Sequence, residues 1–288
     1  MIGIPATLSG SRVHRGPFSI LLLCLGCHAG PRAGEASEQS PAPALAPAAP
    51  TDSADSGAAH GAEQEAPASG EPIRTDLAVA GAFPLLTWAP SGKGPRALIV
   101  SAHGAGCLAE QHCEYFWRLL GGQAIVACLR GEPLFRNRPE QGFYFRDHLA
   151  LARELEGAVA ALQAHFAERL QEDWTFAGYS QGATMGALLL PDSPLTFAHI
   201  LLIEGGGEGM SRNSAERLRD KGTRRVLFVC GTSGCRGRAE RTAELLDDVG
   251  IDARVGFGQG AGHTYLGAVE TTVLVEANWL WPGALDGK

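Results

Sequence analysis

The sequence predicts an α/β domain with a mostly parallel central sheet, helices on both faces and no large cap. Three observations carry that expectation. Short apolar runs ending in glycine recur along the chain, amphipathic stretches of helical period lie between them, and the two alternate from residue 73 onward. With 288 residues, 45% of them apolar, the chain can build a sizeable core. A formal charge of −7 argues against a nucleic-acid partner.

The N-terminal part reads differently. Arg12, His14 and Arg15 precede the apolar run "FSILLLCLGC", the order of an export signal over residues 1–27. The run is short for a bilayer-spanning helix, which needs about 20 apolar residues. "LCLGC" resembles a bacterial lipobox, with Cys27 as the lipidated residue, although Cys24 stands where leucine is usual. That resemblance implies a lipid anchor in the cell envelope; a plainly secreted or periplasmic protein is the alternative. Residues 28–72 hold Leu45 as their one large apolar residue and are otherwise rich in Ala, Pro, Gly, Ser and acidic side chains. Such a segment buries too little surface to offset its conformational entropy, so it is expected to be a disordered tether. Its reach would be roughly 35–40 Å, enough to hold a domain clear of a membrane.

The domain proper is expected over residues 73–288. "TDLAVAG" and "FPLLTWAP" read as edge strands. "RALIVSAHG", "QAIVACLRG", "WTFAGYS", "FAHILLIEGG", "RRVLFVCGT" and "ARVGFGQG" read as buried parallel strands. Between them, Leu149, Ala152, Leu155, Val159, Leu162, Phe166 and Leu170 recur at spacings of three or four and predict one helix with a buried stripe. "AERTAELLDDVG" predicts another, stopped by Gly250, and "HTYLGAVETTVLVEANWL" closes the chain.

Seven cysteines agree with an oxidising compartment. The local pairs Cys107/Cys113 and Cys230/Cys235 would each close a small loop and leave Cys128 a buried thiol; Cys107–Cys128 is the alternative bridge. His112 beside Cys113 makes a poor zinc set and is expected at the surface.

Three motifs carry chemistry. In "TFAGYSQGATMGALLL", Ser180 stands between Gly178 and Gly182 where a strand turns into a helix. A side chain at either glycine would meet the neighbouring strand or helix. "SAHGAGC" follows the first central strand, and "GQGAGHTYLG" places His263 between the last strand and the last helix. In these motifs, residues 76–281 resemble the α/β-hydrolase superfamily. The resemblance implies a nucleophile at Ser180, a general base at His263, and an oxyanion hole from the N–H groups of Ala105 and Gln181. The superfamily's usual acid follows the strand "RVLFVC", but the turn there reads "GTSG" and Gly234 stands where aspartate is expected. Some members carry the acid after the preceding strand, which here ends in Glu204. Glu208 and a Ser-His dyad are the alternatives.

The implied protein is an exported serine hydrolase acting on a small-molecule or polymeric ester, with no metal or organic cofactor. A peptidase or polyester depolymerase shares these motifs. A non-catalytic envelope binding protein on the same fold is the rival reading. Tyr265 and Trp281 are expected in the core, and "FRNRPEQGFYFRD" either lines the pocket or packs a loop.

Overall fold

The computed structural model describes residues 70–282. The proposed export signal with Cys27, and the tether as far as residue 69, lie outside the described residues. Among the described residues no helix is long and apolar enough to cross a membrane.

The described chain begins with β1 (Ile73–Leu77) and β2 (Leu85–Ala89). There follow β3 (Leu98–Ala102), α1 (Ala109–Leu119), β4 (Ile125–Cys128) and a two-stranded ribbon, β5 (Glu132–Pro133) with β6 (Phe143–Tyr144). Next come α2 (His148–Phe166), β7 (Thr175–Tyr179), α3 (Gln181–Leu189), β8 (His199–Ile203) and α4 (Arg212–Asp220). The last elements are β9 (Arg225–Cys230), α5 (Ser233–Asp248), β10 (Asp252–Phe257) and α6 (Ala268–Leu280). Eight strands form one sheet in the order β1-β2-β4-β3-β7-β8-β9-β10. β1 is an edge strand; β2, expected at an edge, pairs antiparallel with both β1 and β4, and from β4 to β10 every pairing is parallel.

The apolar runs work because both faces of the sheet are covered. In β8, Ile200 and Leu202 face one core cluster and Leu201 and Ile203 the other. In β9, Val226, Phe228 and Cys230 take the first side and Leu227 and Val229 the second. This period-2 division lets a continuous apolar run bury every side chain. Leu151, Leu155, Val159 and Leu162 of α2 and Ala239, Ala243 and Leu246 of α5 pack on the first face. Tyr115, Phe116 and Leu119 of α1 and Val269, Val273 and Leu280 of α6 pack on the second.

Several expectations are corrected. The helix over α2 buries Leu151 rather than Leu149, which is 58% exposed. α5 begins at Ser233, not Ala239, because Thr232 caps it: its side chain accepts a hydrogen bond from Cys235 N–H. Gly250 does end that helix, with φ 92°. α1 and α4 lie where no helix was expected. His112, on α1, is buried rather than at the surface; its Nδ1 lies 3.2 Å from Ser101 Oγ. Tyr265 and Trp281 are buried core residues.

The disulfide pattern also differs. Cys230 and Cys235 are joined, as the spacing suggested. Cys113 is joined to Cys128, not to Cys107, so Cys128 is neither a free thiol nor the partner of Cys107. The reason is helical: α1 packs over β4 and brings the two Cα atoms to 5.9 Å, within bridging range. Cys107 lies on the loop before α1, fully buried, and its backbone bridges to Phe143.

Candidate active site

β7 runs through the middle of the sheet and stops at Tyr179. Ser180 then takes φ 52° and ψ −109°, and α3 starts at Gln181. A serine in this region costs about 1–3 kcal/mol, held in place by the surrounding structure. Ser180 N–H donates to Ile203 O at 2.8 Å, tying the turn to β8. The two flanking glycines are sterically required. A methyl on Gly178 would lie 2.6 Å from Ala183 Cα, and one on Gly182 would lie 2.1 Å from Ala102 O.

Three other loops meet at this turn. His263, in the segment between β10 and α6, places Nε2 2.8 Å from Ser180 Oγ. Its Nδ1 lies 2.9 Å from Oε2 of Glu204, which follows β8. The imidazole is partly open, with 43% of its side chain exposed, whereas only 1% of the Glu204 side chain is exposed. Among the described residues, three non-glycine residues have positive φ, and Ser180 and Glu204 (each 52°) are two of them.

The Glu204 carboxylate is fully engaged. Oε1 accepts hydrogen bonds from the N–H groups of Gly231 and Thr232, and the Thr232 hydroxyl donates to Oε2 at 3.1 Å. Burial pushes this carboxyl upward, but hydrogen bonds from His263, Gly231 and Thr232 outweigh it. The group therefore titrates below the ordinary glutamate value. Glu208 instead pairs with Arg238 at 3.4 Å near the surface. Gly234 sits in the first turn of α5, with no carboxylate.

The loop after β3 closes the site. A methyl on Gly104 would lie 2.9 Å from Tyr179 Cδ1 and 3.2 Å from Ser180 Cβ, so this loop packs directly on the serine turn. Ala105 follows Gly104 on that loop, and Gln181 opens α3 beside Ser180. Gly182 N–H donates to His103 O at 3.1 Å. The His103 imidazole lies between the carbonyl oxygens of Gly104 (Nδ1, 2.7 Å) and Arg130 (Nε2, 2.9 Å); burial lowers its pKa, and the neutral ring donates to one of the two. The ribbon segment completes the lacing: Gly106 N–H donates to Phe143 O at 2.7 Å, and Phe145 N–H donates to Gln181 Oε1 at 2.8 Å. Phe143 and Phe145 of "FRNRPEQGFYFRD" are buried and pack the loop, and Tyr144, Phe145 and Arg146 also line a neighbouring cavity.

Sequence reasoning missed two groups here. Thr232 hydrogen-bonds Glu204, and its only local signal is its place before a helix. Tyr179 donates its hydroxyl to His263 O at 3.1 Å, with ring centroids 5.5 Å apart. Its neighbour relation to Ser180 is visible in the chain; its contact with a residue 84 positions on is not.

Glu204, Cys230 and Cys235 form the one cluster among the described residues with metal-ligand spacing. The two sulfurs are bonded to each other and the carboxylate is occupied as above, so this donor set has no ligand atoms to offer. A cavity of ≈ 590 Å³ opens nearby, with Phe83, Tyr144, Phe145 and Arg153 in its wall; Ser180, Glu204 and His263 do not line it.

Sheet order, serine turn and loop placement together define the α/β-hydrolase fold, and solved structures agree. The chain is similar to dienelactone hydrolase from Anabaena variabilis, at 17% identity over 73% of this chain and 97% of that one, with a TM-score of 0.55. It is similar to a Thermus thermophilus protein, at 20% identity over 73% and 98%, with a TM-score of 0.52. An esterase from Pyrobaculum calidifontis aligns at 15% identity over 73% and 86%, with a TM-score of 0.51. No family profile and no curated protein matches the chain.

Proposed function

We propose that this protein is a serine hydrolase that cleaves an ester or related acyl bond. The observation that carries the reading is the continuous hydrogen-bonded line Ser180–His263–Glu204, starting from a serine in a strained strand-to-helix turn. His263 Nε2 takes the hydroxyl proton as Ser180 Oγ attacks the acyl carbon. Glu204 fixes the tautomer by accepting from Nδ1–H and stabilises the imidazolium that forms. The Ala105 and Gln181 N–H groups receive the oxyanion, and each such donor contributes about 3 kcal/mol at the transition state. His263 then protonates the leaving group, and water releases the acyl-enzyme by the same steps reversed.

The named activities of the fold neighbours, an esterase and a dienelactone hydrolase, favour esters as the first substrates to try. The exposed imidazole leaves the site open to a small-molecule or a polymeric ester. A fluorophosphonate probe tests the reading: it is expected to label the intact protein, to fail on Ser180→Ala and to label His263→Ala far more slowly. Equal labelling of Ser180→Ala would sink it.

We also propose that the protein is exported, with Cys27 as a lipid anchor for a tethered domain. Two disulfides in the described residues support an oxidising compartment. Incorporation of labelled palmitate by the full chain, lost in Cys27→Ala, is the expected result.

A further inference from the structure

We propose that the turn after β9 holds the catalytic acid in place, and that Thr232 is a positioning residue for the Ser180–His263–Glu204 line. The proposal rests on the hydrolase reading above and deepens it. The superfamily resemblance expects a carboxylate on this turn. Here the turn carries Gly231, Thr232, Ser233 and Gly234 and has no acid. What it presents instead is donors. The Gly231 and Thr232 amides meet Oε1 of Glu204, and the Thr232 hydroxyl lies 3.1 Å from Oε2, the oxygen that faces His263.

The same turn is fastened to the histidine loop. Gly258 N–H donates to Cys230 O at 2.8 Å, and Gly262 N–H donates to Gly231 O at 3.3 Å. A methyl on Gly231 would lie 2.2 Å from Gly262 O, so the two loops are in direct contact. Thr232 also accepts from Cys235 N–H in the first turn of α5, and the Cys230–Cys235 bridge closes the turn on itself. One short segment thus grips the carboxylate and the backbone that carries the imidazole. Among the described residues, His263 is the ionisable side chain hydrogen-bonded to Glu204. Losing a donor to Oε2 frees the carboxylate to rotate and makes it easier to protonate.

Three variants assayed on a soluble ester test this. Thr232→Val keeps the shape and loses the hydroxyl. It is expected to lower kcat about tenfold with KM within about twofold, and to move the acid limb of the kcat/KM profile to higher pH. Thr232→Ser is expected to restore both. Thr232→Ala removes the cap and the hydroxyl together, and should match Thr232→Val in kcat and pH profile. A purely structural cap predicts instead that Thr232→Val and Thr232→Ala lose melting temperature alone, with kcat per folded molecule and the pH profile unchanged, and that result would overturn the proposal. If Thr232→Val does not fold, the contrast between Ser and Ala decides. Ser180→Ala, run alongside, separates the two readings. If it keeps activity, the hydrolase reading falls. If it is inactive while Thr232→Val matches the unaltered chain in kcat and pH profile, only the present proposal falls.

Discussion

Ser180, His263 and Glu204 each depend on backbone that few residues accept. Two of them sit at φ 52°, and His263 lies in a segment containing Gly260, Gly262 and Gly267 at positive φ. Replacing Glu204 by glutamine tests the acid alone, since the side chain is isosteric. The amide can still accept from Gly231 and Thr232, but it cannot hold the imidazole tautomer by charge. We expect kcat for ester hydrolysis to fall roughly a thousandfold, with KM little changed. The sign of the pH response follows from its position below the ordinary glutamate value. A carboxyl with a depressed folded pKa contributes stability above its unfolded pKa and loses it as pH falls through the folded one. Glu204→Gln should therefore flatten part of the acid-side loss of stability, read as melting temperature against pH.

At the scale of elements, the two disulfides have separable roles. Cys113–Cys128 ties α1 to β4 across 15 residues and touches none of the site residues, so its closure contributes about 3 kcal/mol by restricting the unfolded chain. Cys230–Cys235 closes a shorter loop, but that loop holds Glu204. The Cys113→Ser/Cys128→Ser double variant is expected to unfold at lower denaturant while keeping kcat per folded molecule. The Cys230→Ser/Cys235→Ser double variant is expected to lose kcat in native buffer. The strands and the serine turn are legible in the chain because their signals are local: apolar runs closed by glycine, and glycines flanking Ser180. The Cys113–Cys128 bridge is not, because it depends on which face of α1 meets β4: Cys113 sits on the buried stripe with Ala109 and Phe116, and nothing local says that this stripe lies over Cys128. Glu204 is legible as a strand-end acid, whereas Thr232 reads only as a helix cap. Its second role arises from β8 and β9 lying side by side with aligned ends.

For the whole molecule, acid stability is set at the opposite end of the sheet as well. His199, at the start of β8, is buried; burial first, then Arg224 and Arg225, lower its pKa to about 4, with Asp173 opposing. Between pH 6.5 and 4 the unfolded chain binds more protons at this site than the folded one, so stability rises with pH. Acidification across that window is expected to cost on the order of 3 kcal/mol, and His199→Leu should remove that component of the pH dependence in urea titrations. The site itself has a different weakness. Because Gly182 lets α3 close against the carbonyls of Ala102 and His103, the hydroxyl and the loop opposite it rest on a single seat. The serine turn and the loop opposite it should therefore stay joined on heating for as long as the sheet stands.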